Sequence, residues 1–188
     1  MKVMQGVLIV LLAALAVMAD GAEMVQPEGS SAKYYRILLK NPRPGYLFER
    51  FCNSWLEYHE LKQLETFLEA EQDNGASNQL VLALYYGRAG NNEKALELCS
   101  EALKSDPENQ RILFYRAQLL ERLGRLSEAA DDLDRVAEAG GKLRPDALKK
   151  LGRVYIRQGL VAAGVQSLET LLEEQPDDSN LQEEVIEL

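Results

Sequence analysis

The sequence repeats a pattern of apolar and small residues with a period of about 34 residues. Gly90, Gly124 and Gly159 each end a segment whose apolar residues recur at three and four positions, which is the spacing of an amphipathic helix. A second such segment opens next to each glycine, with NNEKAL, RLSEAA and LVAAGV. The alternation of apolar and polar residues that is typical of a strand is missing from this part of the sequence. The repeat therefore predicts pairs of helices stacked along the chain, which is an all-α fold.

Three copies of this pattern align, at residues 76–109, 110–144 and 145–178. The third copy reads Leu-x-x-Leu-Gly-x-x-Tyr from Leu148 to Tyr155 and continues with Gly164, Leu168 and Pro176. The first two copies keep many of these positions, as Leu82, Ala83, Tyr86, Ala95, Cys99, Ala102 and Pro107, and as Leu113, Ala117, Leu120, Ala129 and Leu133. The pattern resembles the tetratricopeptide repeat, W-x2-L-G-x2-Y…A-x3-F…P. This resemblance implies a right-handed superhelical solenoid of antiparallel helix pairs.

Each copy places a small residue at its eighth and its twentieth position. These pairs are Ala83 with Ala95, Ala117 with Ala129, and Gly152 with Gly164. A glycine inside a helix costs about 1 kcal/mol relative to alanine, so its presence at position 152 needs a gain in packing. We expect the two helices of each unit to cross closely at these residues, because small side chains allow the backbones to approach.

Weaker elements precede and follow the three copies. Phe48, Phe51, Cys52 and Trp55 imitate the first-helix pattern, and Leu64 replaces the second small residue, which predicts a degenerate unit at 45–75. Residues 33–45 predict a short apolar helix that prolines 42 and 44 stop, so that N-terminal helices and the degenerate unit together span 34–75. Residues 179–188 predict a capping helix with an acidic outer face, as the end of a repeat stack requires.

The first residues predict export from the cytoplasm. After Lys2, residues 7–19 form a run of thirteen uncharged and almost wholly apolar residues, and Asp20 follows. This run is shorter than the about 20 residues that span a bilayer, and its small residues at the end are typical of a secretory signal peptide at 1–19. An uncleaved anchor is the alternative. Residues 20–33 mix Gly, Pro, Ser and charge and predict a flexible tether. We therefore expect a bacterial exported protein in a periplasmic or extracellular compartment.

Net charge and cysteine content restrict the partners and the redox state. The formal net charge is -9 at pH 7, which disfavours nucleic acid and anionic membrane surfaces as partners beyond the export signal. Cys52 and Cys99 are the two cysteines. At least one helix is expected between them, so the distance between their Cα atoms should exceed the roughly 7 Å limit for a disulfide bridge. We predict two buried reduced thiols, with a disulfide as the alternative.

The sequence offers little chemistry for catalysis, metal binding or cofactor binding. His59 is the one histidine, and the segment HELKQ has Gln63 where a zinc-protease motif needs its second histidine. We interpret His59 as a solvated residue in an interhelical turn. No Gly-rich phosphate loop follows a strand. We predict no catalytic residue, no metal and no cofactor, although the many acidic residues leave open a carboxylate pair in a groove.

The resemblance implies a concave groove lined by the first helix of each unit, chiefly from positions 2, 5, 6, 9, 12 and 13. The residues it selects are Leu80, Leu84, Arg88, Phe114, Gln118, Arg122, Lys149, Arg153 and Arg157. Their positive charge opposes the acidic average of the chain, and arginine offers a two-pronged donor for carboxylates. One hypothesis is therefore an acidic peptide ligand, and the other is that these cations pair with acids of the neighbouring helix. The version of this fold that clamps the tails of chaperones needs asparagines at positions six and nine of successive units, and this chain has other residues at those positions.

These observations together predict a non-catalytic scaffold or adaptor of the cell envelope. It would bind a peptide or partner protein in its groove. A purely structural module of a larger envelope complex and an enzyme with a groove site are the alternatives. The exposed end repeats also offer surfaces for self-association.

Overall fold

A computed structural model describes residues 24–187 and contains helices and turns throughout that range, without a strand. The predicted signal peptide at 1–19 lies outside the described residues. Ten α-helices follow one another in that range: α1 (Gly29–Lys40), α2 (Tyr46–Leu56), α3 (Leu61–Glu71), α4 (Ala76–Arg88), α5 (Asn92–Ser105), α6 (Gln110–Arg122), α7 (Leu126–Ala139), α8 (Arg144–Arg157), α9 (Val161–Glu174) and α10 (Ser179–Ile186). Short 3-10 helices at Gln72–Asn74 and Gly141–Leu143 precede α4 and α8. The all-α prediction is confirmed.

The three predicted units correspond to the pairs α4–α5, α6–α7 and α8–α9. Within each pair the helices pack on one another, and each pair packs on the next through consecutive helices. Gly90, Gly124 and Gly159 lie in the turns with φ of 84°, 75° and 80°, a left-handed region that favours glycine. The residue after each glycine donates its N–H to a carbonyl five residues back at 2.9 Å. This hydrogen bond satisfies an end carbonyl of the first helix and turns the chain into the second.

The small residues predicted to lie at the crossings are buried in all three pairs. Ala83, Ala95, Ala117 and Ala129 are fully buried, and the two glycines of the third pair are buried as well. The expectation of close helix crossings is therefore met. Pro145 lies in the first turn of α8, where its missing N–H leaves no hydrogen bond unmade.

The N-terminal region differs from the predicted tether and unit. Helix α1 begins at Gly29, so the last part of the predicted tether at 20–33 is helical. Ser31 is buried, accepts a hydrogen bond from the Glu28 N–H at 3.0 Å and donates one to the Glu28 carbonyl at 2.7 Å. Burial of Tyr35 and Leu38 then stabilises the helix. The first residues of α1 are polar and show no apolar periodicity, so the sequence did not predict this part of the helix.

Helix α2 packs along α1 more extensively than along α3, its partner in the predicted unit at 45–75. Leu64 on α3 is fully buried, and its size prevents the close crossing that a small residue allows. Aromatic rings fill the space instead. Tyr35 lies 5.2 Å from Phe51 and 5.1 Å from Phe67 between ring centroids, and Trp55 stacks on Phe67 at 5.2 Å. These three helices therefore form one aromatic bundle rather than a standard unit.

Helix α10 caps the C-terminal end of the stack. The Asp178 carboxylate accepts a hydrogen bond from the Leu181 N–H at 3.1 Å and so begins the helix. Leu181 is fully buried and Val185 packs against the core. Of the helices in residues 24–187, none has the length and apolar content needed to cross a membrane.

Candidate functional site

The predicted groove residues lie on the first helices α4, α6 and α8, but the structure does not expose all of them. Leu84 and Leu80 are 2% and 1% exposed, so both belong to the core. The prediction that they contact a ligand is wrong for this structure, because α1 and α3 pack on α4. The aromatic bundle of α1, α2 and α3 covers the apolar face of α4. The repeat positions alone had predicted that this face is exposed.

The other predicted residues are at least partly accessible. Phe114 and Gln118 on α6 and Lys149 on α8 are half-buried, and Phe114 packs against the core. The four arginines are exposed, namely Arg88, Arg122, Arg153 and Arg157. A role for these residues in partner binding stays a prediction.

A depression of about 290 Å³ lies between α6 and α8. Its lining residues are Gln118, Glu121, Arg122, Lys150 and Arg157, and we call it the α6–α8 groove. It brings together three of the predicted residues. Glu121 and Lys150 were missed, although they occupy repeat positions 12 and 6. Those positions belong to the family pattern, so the signal was present in the alignment.

Glu121 joins the two helices that form the groove. Its Oε2 lies 3.1 Å from Lys150 Nζ and its Oε1 lies 3.2 Å from an Arg157 nitrogen. The Glu121 side chain is 17% exposed. One carboxylate of α6 therefore neutralises two cations of α8, which favours structural pairing for Arg157.

Arg88 makes an ion pair of the same kind in the first unit, two units before Arg157. Its Nε lies 3.1 Å from an oxygen of Glu49 on α2. Arg88 and Arg157 share position 13 of their units, and both pair with a carboxylate of a preceding helix. The pairing hypothesis therefore describes two of the three arginines at this position.

Arg122, the third arginine of this series, has a different neighbour. Repeat position 12 of the preceding unit is Gly87, where the next unit has Glu121. A Cβ at Gly87 would collide with the Tyr115 hydroxyl, which donates to the Ala83 carbonyl at 3.5 Å. Burial raises the pKa of Tyr115 to about 12, and charge and a hydrogen bond from Arg122 act in the opposite direction. Among the described side chains, none gives Arg122 a carboxylate partner.

Comparison with known proteins supports the repeat architecture. Residues 80–144 match the family described as tetratricopeptide repeat. The chain has the tetratricopeptide repeat fold. It is similar to the TPR protein YrrB at 17% identity, over 84% of this chain and 82% of that one, with a TM-score of 0.60. A search of curated proteins found no match.

Two further solved structures are similar in fold. The thermophilic TPR protein TTC0263 of Thermus thermophilus has 18% identity and a TM-score of 0.54, over 84% of this chain and 87% of that one. The N-terminal domain of stress-induced protein-1 from C. elegans has 21% identity and a TM-score of 0.53, over 66% and 95%. At these identities the likeness concerns the fold.

A second depression of about 260 Å³ lies beside α5, α6 and α7 of this repeat stack. Its lining residues are Leu96, Glu97, Ser100, Arg116, Leu120, Arg125 and Glu128. Each of its two arginines makes two hydrogen bonds to a carboxylate of its own. Arg116 bonds Asp132 at 2.7 and 2.6 Å, and Arg125 bonds Glu128 at 2.7 and 2.6 Å. These cations are already satisfied within the protein, so the α6–α8 groove is the better candidate site.

Metal-ligating side chains are not grouped in residues 24–187. No cluster of three or more His, Cys, Asp or Glu side chains there could hold a metal ion. His59 lies in the turn between α2 and α3, half-buried with its ring 5.1 Å from that of Trp55, and so is less solvated than expected. Two carboxylates, Glu69 and Glu128, have a lowered pKa because Tyr86 and Arg125, respectively, donate to them. A general acid requires the opposite shift.

Proposed function

We propose that this chain is a non-catalytic protein-interaction scaffold that holds an acidic peptide segment in the α6–α8 groove. The observation that carries the proposal is the lining of this groove, where three cations face one carboxylate on a chain of net charge -9. Paired helices fix the positions of these side chains before a partner arrives, which reduces the ordering cost of binding. Stacked repeats of this kind use such extended surfaces for recognition.

A peptide is the first ligand class to test. YrrB, which has a similar fold, is described as having an unusual peptide-binding site. For this chain the case depends on its own groove, where Gln118 offers an amide beside the cations. Phe114, one helical turn before Gln118 on α6, offers an apolar contact. An extended peptide can contact the apolar ring, the amide and the cations at the same time.

The test is selection from a displayed library of random peptides against the immobilised chain. Acidic sequences should be enriched, and a variant carrying Arg122→Glu and Arg157→Glu should lose them. Arg36→Glu combined with Arg43→Glu makes the same charge change at two exposed residues that are distant from the groove in the sequence. This control variant should still enrich acidic sequences. Thermal melting checks that both variants fold. Enrichment of no peptide above bare resin, or equal retention by the groove variant, would overturn the proposal.

We also propose that the scaffold works outside the cytoplasm, in a bacterial cell envelope. The support is the sequence of residues 1–20, with Lys2, an apolar run and small residues before Asp20. Expression in a bacterium followed by N-terminal sequencing should give a chain that begins at Asp20 in the periplasmic or secreted fraction. Recovery of an uncleaved chain in the cytoplasm would contradict this.

Assembly through the ends of the stack is a second candidate role. Large apolar side chains are exposed at both ends, with Tyr58 80% and Ile186 83% exposed. Leu61 near Tyr58 is also exposed, as are Leu160 in the turn between α8 and α9 and Val161 at the start of α9. Sedimentation equilibrium at several concentrations would detect self-association. Tyr58→Ser and Ile186→Ser should abolish it if these ends are responsible.

A further inference from the structure

The three arginines at repeat position 13 are equivalent in sequence but not in their surroundings. Arg88 pairs with Glu49 and Arg157 pairs with Glu121, while no described side chain gives Arg122 a carboxylate. We infer that Arg122 is the residue of the α6–α8 groove that receives a side-chain carboxylate from a bound acidic peptide. This inference rests on the proposed function and adds the residue and the ligand group to it.

A difference between the units explains why Arg122 has no carboxylate partner among the described side chains. Glu121, at position 12 of its unit, reaches the cations of α8, whereas the same position on α4 is Gly87. A glycine has no side chain to offer. Its bare backbone instead accommodates the Tyr115 hydroxyl, because a Cβ there would collide with that oxygen and lie 3.3 Å from Cζ. The place of a carboxylate is taken by a neutral hydroxyl that cannot neutralise Arg122.

Tyr115 lies beside the guanidinium. Its hydroxyl donates to the Ala83 carbonyl on α4 at 3.5 Å and is near enough to Arg122 for that cation to act against the rise in its pKa. Tyr115 is 4% exposed, so this side chain is held within the core. A guanidinium has five N–H donors, and one contact with Tyr115 leaves donors for the two oxygens of a carboxylate. Arginine is suited to such two-pronged binding.

The charge balance of the groove favours a peptide with several acidic side chains over a single chain terminus. Glu121 already bonds Lys150 and Arg157, so one negative charge is shared by two cations and Arg122 is uncompensated. The α-carboxylate of a peptide would supply one charge. Neighbouring aspartates or glutamates would supply one to Arg122 and another to the partly neutralised cations of α8.

The inference predicts different responses from two equivalent arginines. The probe is a fluorescein-labelled decapeptide with four glutamates and two leucines, acetylated at its N-terminus and amidated at its C-terminus. Its affinity for the purified chain is measured by fluorescence anisotropy at low salt. We expect Arg122→Gln to weaken binding at least tenfold, and Arg157→Gln to change it less than threefold, because Glu121 already partly neutralises Arg157. Arg122→Lys should retain part of the affinity, since it keeps the charge without the two-pronged donor.

Glu121→Gln provides an independent variant with the opposite sign. Removing the internal carboxylate releases Lys150 and Arg157 for the ligand, so binding of the probe should strengthen. Arg43→Gln is the control for loss of one exposed cation away from the groove. Melting temperatures of all variants verify that they fold.

The outcomes separate this inference from the function on which it rests. Binding that Arg157→Gln weakens as much as Arg122→Gln overturns the special role of Arg122 but leaves the groove as a peptide site. A requirement for a free C-terminus on the probe overturns the side-chain carboxylate. If the amidated probe, its free-acid form and library-selected peptides all fail to bind the unmodified chain, the proposed function fails as well. Self-association that Arg122→Gln abolishes would identify a second copy, with its own acidic side chains, as the occupant in place of a separate peptide.

Discussion

Gly152 and Gly164 face each other across α8 and α9 at a distance that excludes a side chain from either position. A Cβ added to Gly152 would lie 3.0 Å from the Gly164 carbonyl oxygen, and one added to Gly164 would lie 2.7 Å from the Gly152 carbonyl oxygen. The other two units have alanines at the equivalent positions, where a methyl group is accommodated. The third unit therefore has a closer crossing than its neighbours, which accounts for a glycine inside a helix.

Replacing this glycine with a large residue should destabilise the repeat stack. In Gly152→Leu the new Cβ would already lie 2.7 Å from Leu168 Cγ, so α8 and α9 must separate. We expect a loss of about 1–3 kcal/mol in the free energy of unfolding, the usual range for overpacking. Urea denaturation measures it. Ala162→Leu adds the same side chain at an exposed position of α9 and should change stability by less than about 0.5 kcal/mol. Equal stability of Gly152→Leu and the unmodified chain would contradict the close crossing.

The sequence predicted the repeat units well because the spacing of small residues encodes a local contact. Ala117 and Ala129 are close in the chain, and their burial follows from one helix crossing. Burial of Leu84 could not be predicted in the same way. Its exposure depends on α1 and α3, and α1 begins in a stretch of Gly and Ser that is typical of a linker. A non-local contact thus decided the state of a residue whose repeat position suggested a groove.

The sequence predicted that the groove carries positive charges but not which side chains form ion pairs. The sequence indicated an excess of cations on α6 and α8, and the structure places two of the predicted ones, Arg122 and Arg157, around one depression together with Lys150. Which carboxylate meets which cation depends on the offset between adjacent units. Glu121 lies one residue before Arg122 yet bonds Lys150 and Arg157 instead. Adjacent residues on a helix point in different directions, so sequence proximity was a poor guide.

Arg116 and Asp132 form a buried ion pair that should contribute strongly when one partner is removed. The Asp132 side chain is 3% exposed and that of Arg116 is 23% exposed. We expect Asp132→Asn to cost about 3 kcal/mol, because it leaves a largely buried guanidinium without its counter-charge. Arg116→Met combined with Asp132→Leu should recover much of this loss. Glu108→Gln breaks the exposed Glu108–Arg135 pair and should cost less than about 1 kcal/mol. Additive effects of the two single changes, Arg116→Met and Asp132→Leu, in a double-mutant cycle would exclude a coupled pair.

Tyr35 should contribute to stability through its hydroxyl as well as its ring. The Asn78 amide donates to this hydroxyl at 3.0 Å, and both residues are buried. Tyr35→Phe keeps the ring contacts of the aromatic bundle but leaves the amide unsatisfied, which should cost about 1–3 kcal/mol. Tyr46 is 79% exposed, and Tyr46→Phe should have no measurable effect. Thermal melting of the two variants tests this, and a Tyr35→Phe variant as stable as Tyr46→Phe would show that the hydrogen bond does not link α1 to α4.

The two buried thiols should make the protein lose stability in mildly alkaline solution. Burial raises the pKa of Cys52 to about 12 and that of Cys99 to about 12, whereas a cysteine in an unfolded chain has a pKa of about 8.5. Above pH 8.5 the unfolded chain therefore binds fewer protons than the folded chain. The stabilising contribution is complete below that pH and is lost as pH rises towards 12. Each thiol should lower the free energy of unfolding by about 1.4 kcal/mol per pH unit within this window.

Urea denaturation between pH 8 and pH 10 measures this slope before most tyrosines and lysines titrate in the unfolded chain. Cys99→Ala removes one of the two thiols, and its stability should fall about 2 kcal/mol less over this range than that of the unmodified chain. The cavity left by alanine lowers stability at every pH and does not affect the slope. Parallel pH profiles for Cys99→Ala and the unmodified chain would mean that Cys99 titrates alike in both states, as it would if the folded thiol were open to solvent. Two alkylated thiols after unfolding without reductant would show that neither cysteine is in a disulfide.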